Sequence, residues 1–308
     1  MTARKSPSPL QGMLLLRKER GPSSNRALQH ARRILGGVKA GHAGTLDPGA
    51  EGLLLVCVGE ATKLMPFLSG FEKEYVGEMR FGVGTDTHDA EGNVTAEAPA
   101  EHLTRELILE KMGLFLGEIR QVPPMYSAVK VGGERLYKMA RRGEEILREP
   151  RVVAVSEFAL LQWESPVLRY RVRCGGGTYI RSLCRDLARE CGTEGHMTAL
   201  TRTAVGPFRL ETAVTLEELH GMAKEGAELP LVPLAEALPH LPVMVLGTEK
   251  AADVRLGKRP SPSPGIRNGE AEPGMDVKCV GPDGRLVAVV LYEGPDELMP
   301  IRRVFAGG

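Results

Sequence analysis

Long apolar runs are absent from this chain of 308 residues. The longest candidate, residues 53–58, is far shorter than the ~20 apolar residues that a membrane-spanning helix needs. Residues 1–10 contain lysine and arginine but neither an apolar core nor a small-residue cleavage pattern, so we expect no signal peptide. The sequence therefore predicts a cytoplasmic protein that does not cross a membrane.

Cysteine is scarce, and its spacing argues against two kinds of site. The five cysteines are Cys57, Cys174, Cys184, Cys191 and Cys279. No pair has the C-x-x-C spacing of redox and zinc motifs, and their number is odd. No cluster of histidine and cysteine has zinc-ligand spacing either. We therefore predict reduced, mostly buried thiols and no bound metal.

Nucleotide-binding and calcium-binding motifs are also missing. The glycines of residues 36–41 do not form a Walker loop, and those of residues 175–177 lack the G-x-G-x-x-G spacing. The acids of residues 86–92 lack the ligand spacing and closing glutamate of a calcium loop, so a polar turn is the better interpretation. These absences make a nucleotide-hydrolysing enzyme a weak hypothesis.

A large net charge is absent, because 40 Lys and Arg balance 39 Asp and Glu. The charges are nevertheless segregated along the chain. Residues 1–39 hold nine basic residues and one acid, and residues 169–209 hold eight arginines and three acids. Such segregation can give a neutral protein a basic face for nucleic acid. For any one segment, solvated surface charge is the simpler interpretation.

Hydrophobic periodicity predicts a mixture of strands and helices. Residues 53–58 indicate a buried strand, and residues 75–83 and 168–174 alternate like half-buried strands. The polar face of the last of these strands carries Arg169, Arg171 and Arg173. Apolar residues from Ile180 onward repeat every three to four positions, which predicts an amphipathic helix.

Composition suggests how the chain is divided. Residues 125–151 are basic and contain glycine with little periodicity, which indicates a loop-rich insertion. Residues 230–243 are rich in proline and favour a linker. Strand patterns return on both sides of the turn at residues 282–284. We therefore predict a large domain over residues 1–245 and a small β domain over residues 246–308.

The most unusual segment is residues 41–52, in which Asp47 lies in a glycine-rich loop before the buried strand. Pro48 fixes its own φ and restricts Asp47 to extended conformations. The glycines allow a ligand to approach the backbone closely. One hypothesis is an acid in an active site, and the other is a β-turn in which Asp47 caps its own backbone. Spacing alone favours the turn.

The sequence GHAGTLDP at residues 41–48 resembles the catalytic motif of the TruB family, the tRNA pseudouridine-55 synthases. Other segments similar to that family follow in family order: residues 14–25, 59–64, 73–75, 84–87, 121–128 and 177–183. The resemblance covers roughly residues 11–210. One departure is the sequence Arg-Lys-Glu at residues 17–19, where the family usually has Asp-Lys-Pro.

The resemblance implies an α+β fold: a mixed, mostly antiparallel sheet flanked by helices, with a small PUA-like C-terminal β domain. It also implies that Asp47 is the catalytic carboxylate, which attacks ribose C1′ or removes a ribose proton to give a glycal. Asp47 must be ionised to act, so a nearby cation is needed, and Arg181 is the matching position. Further positions match the family's substrate contacts: Lys18, His42, Tyr75, Tyr179 and Leu200.

The implied partner is the T stem-loop of tRNA, over which the insertion at residues 125–151 closes. Residues 17–39 and 169–209 would supply further basic contacts. The reaction is an isomerisation, so we expect no cofactor, and the compact chain predicts no obligate protein partner. Two alternatives stay open: an RNA-binding or RNA-folding protein without essential catalysis, and a synthase related to the guide-RNA-associated archaeal and eukaryotic branch.

Overall fold

The computed structural model describes residues 10–127, 130–140, 142–144, 146–262, 266–267 and 271–306. Ten strands within these ranges form one large sheet, and five strands near the C-terminus form a second sheet. The first part of the chain contains β1 (Gly12–Lys18), α1 (Ser24–Ile34), β2 (Ala40–Ala43), β3 (Glu51–Val58), a 3-10 helix (Gly59–Leu64), α2 (Met65–Ser69), β4 (Lys73–Phe81), β5 (Val83–Thr85), β6 (Val94–Glu97), α3 (Arg105–Gly113) and β7 (Gly117–Gln121).

The remaining elements begin inside the predicted insertion. In chain order they are β8 (Lys130–Val131), β9 (Glu134–Arg135), α4 (Leu136–Ala140), β10 (Arg151–Glu164), β11 (Val167–Cys174), α5 (Ile180–Glu190), β12 (Gly195–Val205), β13 (Phe208–Arg209), a 3-10 helix (Leu210–Thr212), α6 (Leu216–Glu225), β14 (Leu231–Val232), β15 (Val243–Val245), α7 (Thr248–Arg255), β16 (Ile266–Arg267), β17 (Asp276–Val280), β18 (Leu286–Leu291) and β19 (Ile301–Val304).

The large sheet has the order β14-β1-β3-β12-β4-β11-β10-β7, with β2 beside β3 and β13 beside β12. Its described pairs are antiparallel except β3 with β12, which run parallel. The second sheet has the order β16-β15-β17-β18-β19. The predicted α+β class, with a mixed, mostly antiparallel sheet and a small C-terminal sheet, is confirmed.

Strand β3 is apolar from Leu53 to Val58 because both faces of this part of the strand are covered. Leu53, Leu55 and Cys57 pack into one hydrophobic cluster, and Leu54 and Val56 pack into another on the opposite face. The second of these clusters contains the apolar face of α1. A central strand buried on both faces reads as a continuous apolar run, which explains why residues 53–58 were recognisable from sequence.

Strands β4 and β11 bury one face only, and their buried side chains pack with those of α5. The arginines predicted for the opposite face of β11 are there, but two of them are engaged by neighbouring strands. Arg171 lies 2.6 Å from Glu157, and Arg173 lies 2.7 Å from Glu74. Cross-strand ion pairs therefore neutralise much of the basic row that the sequence suggested.

The linker predicted at residues 230–243 is wrong. Strand β14 pairs with β1 at the edge of the large sheet, and Leu238 is fully buried. Lys278 of the second sheet donates hydrogen bonds to the carbonyls of Ala235 and Leu238, both at 2.9 Å. Prolines beside a two-residue strand are compatible with a sheet edge, so the segment packs between the two sheets.

Candidate active site

Asp47 lies in the loop between β2 and β3, and this loop is held by α1. The Ser24 hydroxyl accepts a hydrogen bond from the Leu46 amide at 2.7 Å and donates one to the Leu46 carbonyl at 2.8 Å. The Gly21 amide donates to the Pro48 carbonyl at 2.8 Å. The backbone on both sides of Asp47 is therefore fixed by the segment that leads into α1.

Lys18, at the end of β1, holds the other side of the loop. Its ammonium is fully buried and donates hydrogen bonds to the backbone carbonyls of Ala50, Glu19 and Pro48. Burial lowers the pKa of Lys18 to about 8, although the negative charge of Asp47 opposes this effect. The Lys18 ammonium thus contacts the backbone of the loop and brings positive charge close to the Asp47 carboxylate.

The carboxylate of Asp47 pairs with Arg181, the second residue of α5. Arg181 Nη2 lies 2.9 Å from Asp47 Oδ2, and the side chain of Arg181 is 5% exposed whereas that of Asp47 is 44% exposed. One side of the carboxylate is therefore held by a buried guanidinium, and the other side is open to a substrate. The Asp47 side chain thus pairs with a residue far away in sequence. The turn itself is closed by the Ala50 amide, which donates a hydrogen bond to the Asp47 backbone carbonyl.

The Arg181 guanidinium is itself fixed by three further groups. It donates hydrogen bonds to the carbonyls of Thr87 at 2.9 Å and Tyr126 at 2.8 Å. It also lies 3.5 Å from Asp89 Oδ2. Its position at the first turn of α5 adds the positive end of the helix dipole near Asp47. Asp89 was not singled out from sequence, because the polar turn at residues 86–92 gives no local sign of a partner nearly a hundred residues later.

Tyr75 and Leu200 lie beside the loop on adjacent strands, β4 and β12. Both are buried in the hydrophobic cluster that also contains Leu46, the residue before Asp47. Burial raises the pKa of Tyr75, and the charge of Arg202 opposes that rise. A neutral phenol and an aliphatic side chain therefore line the interior next to Asp47.

Tyr179 and His42 occupy less buried positions. The peptide groups of Tyr179 are held by buried Gln121, which accepts from the Tyr179 amide at 2.8 Å and donates to its carbonyl at 3.1 Å. Burial raises the pKa of Tyr179 and lowers the pKa of His42. Nδ1 of His42 is buried without a hydrogen-bond partner among the described residues. No described hydrogen bond joins His42 to the Asp47 carboxylate.

All five cysteines are buried and free, which agrees with the predicted burial of the thiols. In the part of the chain that the structure describes, no group of three or more His, Cys, Asp or Glu side chains has the arrangement of a metal site. No described helix is long and apolar enough to span a membrane.

Comparison with known proteins identifies the family. The N-terminal domain of the TruB family pseudouridylate synthases matches residues 32–180, and the tRNA pseudouridylate synthase B C-terminal domain matches residues 181–246. The chain belongs to the TruB family. The prediction of an enzyme that forms pseudouridine, an isomerase, is thereby confirmed.

Relatives with curated names match nearly the whole chain. The tRNA pseudouridine synthase B of Xanthomonas axonopodis pv. citri is 43% identical over 301 residues, which cover 97% of this chain and 95% of that protein. The tRNA pseudouridine synthase B of Symbiobacterium thermophilum is 46% identical over 257 residues, which cover 82% of this chain and 84% of that protein.

Two solved structures share the fold. A Cbf5-Nop10-Gar1 complex contains a chain with a TM-score of 0.76 and 28% identity, covering 96% of this chain and 85% of that one. An H/ACA RNP bound to a substrate RNA containing 2′-deoxyuridine gives a TM-score of 0.75 and 26% identity, with the same coverage. The similarity extends over both sheets, which agrees with the fold predicted from the family resemblance.

Proposed function

We propose that this enzyme converts uridine 55 in the T-arm loop of tRNA to pseudouridine, with Asp47 as its catalytic residue. The observation that carries the proposal is the contact of 2.9 Å between the half-exposed Asp47 carboxylate and buried Arg181. A tRNA substrate is supported by the curated relatives, which are named tRNA pseudouridine synthase B.

The reaction breaks the bond between ribose C1′ and uracil N1 and forms a bond between C1′ and C5. Asp47 acts at the sugar, either by attacking C1′ or by removing a ribose proton to give a glycal. Arg181 serves both routes, because it stabilises the ionised carboxylate and leaves one carboxylate face free for the substrate. The rearrangement involves no net oxidation and no group transfer, so we propose that it needs no cofactor.

The target uridine must leave the base stack before Asp47 can reach its sugar. We propose that the flipped uracil enters beside Tyr75 and Leu200, which lie in the cluster under the loop. Stacking on an aromatic ring contributes about 1–3 kcal/mol per base. Tyr179, at the start of α5, borders the same pocket, and His42 contacts the rearranged T loop.

The remaining RNA contacts come from basic segments. We propose that residues 17–39, 125–151 and 169–209 form one groove and that the insertion at 125–151 closes over the T stem-loop. Recognition then depends on the shape of the RNA, its phosphates and its flipped bases. A PUA-like domain at residues 246–308, following a catalytic domain at residues 1–245, extends the contact beyond the T arm. Affinity should fall steeply as the salt concentration rises.

A stand-alone enzyme acting in the cytoplasm is the form we propose. The two solved neighbours are chains of multi-component complexes, whereas curated relatives that match this chain over almost their whole length are named tRNA pseudouridine synthase B. The test is incubation of the purified protein alone with unmodified tRNA, without cofactor or guide RNA, followed by mapping of any new pseudouridine. Absence of product at position 55 would contradict the proposal.

The Asp47→Asn variant separates catalysis from RNA binding or folding without catalysis. Asparagine keeps the size of the side chain but removes its charge and nucleophilicity. We expect that this variant binds tRNA and makes no pseudouridine. Pseudouridine made by purified Asp47→Asn would show that Asp47 is not the catalytic residue.

A further inference from the structure

A buried arginine beneath the Asp47 loop has no part in the chemistry described above. Arg202, on β12, is 1% exposed. Its Nε donates a hydrogen bond to the Leu53 carbonyl at 2.7 Å, and its Nη2 donates one to the Gly44 carbonyl at 3.1 Å. Gly44 and Leu53 lie on opposite sides of Asp47 in sequence, so one guanidinium bridges the two ends of the loop.

Gly52 allows Arg202 to reach this position. In the parallel pairing of β3 with β12, Gly52 lies opposite Arg202. A Cβ at residue 52 would lie 2.3 Å from the Arg202 carbonyl oxygen, and Gly52 has φ of +110°. Both observations require glycine, because only glycine adopts this backbone conformation at little cost and leaves room for the backbone of β12.

Arg202 also lies next to the proposed base pocket. In the antiparallel pairing of β4 with β12, its partner is Tyr75. The charge of Arg202 opposes the effect of burial on the pKa of Tyr75, and it adds to the effect of burial on the pKa of Lys18 and His42. The same side chain therefore acts on the loop that carries Asp47 and on the ring proposed to stack on uracil.

No ion pair between Arg202 and a carboxylate occurs among the described residues. Its two hydrogen bonds across the loop go to backbone carbonyls. Burying a charge without a counter-ion costs several kcal/mol, whereas a neutral side chain would fill the same space without that cost. A rigid fork of donors, by contrast, can hold two carbonyls and a neighbouring ring in one geometry. The arrangement thus indicates that Arg202 serves to fix the relative positions of the loop and the ring more than to fill space.

We propose that Arg202 is a positioning residue, which fixes the Asp47 loop relative to Tyr75 and so aligns the carboxylate with the flipped uracil. It does not contact RNA, because its side chain is enclosed by β3, β4, β12 and the loop. The proposal rests on the function proposed above and adds a residue that acts through Asp47 and Tyr75.

The test compares Arg202→Lys and Arg202→Met with a matched control, Lys278→Met. Lys278 is also a buried cation bound to two backbone carbonyls, but it lies at the second sheet. A displacement of about 1 Å at a reacting group costs about 10²-fold in rate, so we expect a loss of that order in the single-turnover rate of Arg202→Lys at saturating tRNA. Its Kd for tRNA should stay within a factor of about two, because an enclosed side chain contributes no phosphate contact.

The Arg202→Met variant should be at least as slow as Arg202→Lys, and Lys278→Met should react at the wild-type rate. If Arg202→Met does not fold, Arg202→Lys decides the question. A folded Arg202→Lys with a wild-type rate at saturation would overturn the proposal, as would a loss found entirely in Kd.

Hydrogen exchange gives a measurement that does not depend on activity. If Arg202 holds the loop, amides of residues 43–50 exchange faster in Arg202→Lys than in wild type and in Lys278→Met. Equal exchange in all three proteins would refute the positioning role even if the wild type made no pseudouridine. A wild type that is inactive on tRNA, with faster loop exchange in Arg202→Lys, would instead reject the proposed function alone.

Discussion

The Ser24 hydroxyl bonds to both ends of Leu46, accepting from its amide at 2.7 Å and donating to its carbonyl at 2.8 Å. Leu46 directly precedes Asp47, so this side chain fixes the backbone from which the carboxylate projects. In Ser24→Ala both Leu46 groups lose their partner while remaining buried, at a cost of about 1–3 kcal/mol for each unsatisfied group. We expect a lower free energy of unfolding in urea and a slower single-turnover reaction.

The neighbouring Ser23 provides the control for that experiment. Ser23 caps α1 by accepting a hydrogen bond from the Arg26 amide at 3.2 Å, and it makes no described contact with Leu46. Ser23→Ala should cost about 0.5–2 kcal/mol of stability as a lost cap. Its single-turnover rate should equal that of wild type. Equal rates in Ser23→Ala and Ser24→Ala would show that the bond to Leu46 has no effect on catalysis.

Asp89 provides a second prediction, because it lies 3.5 Å from the guanidinium that orients Asp47. In Asp89→Asn the side chain keeps its size but no longer attracts Arg181, so the guanidinium is held less firmly. We expect about a ten-fold lower single-turnover rate, which corresponds to about 1.4 kcal/mol of transition-state stabilisation. Binding of tRNA, measured by filter retention, should change little.

A variant of Asp86, in the same turn, tests whether the lower rate is specific to the loss of the Asp89 charge or follows from any change in the turn. Its carboxylate accepts hydrogen bonds from Asn93 and makes no described contact with Arg181. Asp86→Asn should therefore react at the wild-type rate. If Asp86→Asn and Asp89→Asn were equally slow, the effect would come from the turn as a whole, and the role assigned to Asp89 would be wrong.

The elements that carry the site were predictable where periodicity was strong. The run at residues 53–58 lies within β3, and the helical pattern from Ile180 begins where α5 begins. Periodicity could not identify the partner of Asp47. Arg181, Arg185 and Arg189 share one sequence pattern, and only the family resemblance distinguished Arg181. In the fold, Arg185 pairs with adjacent Asp186, whereas Arg181 faces the loop.

The residues that were missed all act over long sequence distances. Ser24 matches a helix start in sequence, but its hydroxyl serves Leu46, 22 residues later. Arg202 lies within an unremarkable strand, and its acceptor Leu53 is 149 residues away. Such contacts depend on which strands become neighbours, and local patterns do not specify that choice. For the same reason the acids that neutralise Arg171 and Arg173 were not foreseen.

Gly52 gives a prediction about folding. Alanine at this position would place a Cβ 2.3 Å from a backbone oxygen of β12 and would require φ of +110°. Strained backbone of this kind costs about 1–3 kcal/mol before the steric clash is added. We expect Gly52→Ala to unfold at a clearly lower temperature than wild type.

Gly70→Ala is the matched control, since a Cβ at residue 70 would meet no atom within 4 Å and the φ of Gly70 is −73°. Equal melting temperatures for the two variants would contradict the packing described here.

Lys18 predicts a specific pH dependence of stability. Burial lowers its pKa from 10.5 to about 8, so the folded state releases this proton at lower pH than the unfolded state does. Between these two pH values the unfolded state binds more protons, and stability attributable to Lys18 therefore rises with pH across this window. Below about pH 8 Lys18 is protonated in both states and its contribution is constant. The gain is about 1.4 kcal/mol for each unit of pKa difference that is traversed. The measurement is urea unfolding of wild type and Lys18→Gln at pH values from about 7 to about 10, spaced by roughly half a unit. Comparing the two proteins isolates the contribution of Lys18, because the other titrating groups are common to both.

The wild type should gain stability relative to Lys18→Gln as the pH rises. A stability difference independent of pH would exclude a buried Lys18 with a lowered pKa.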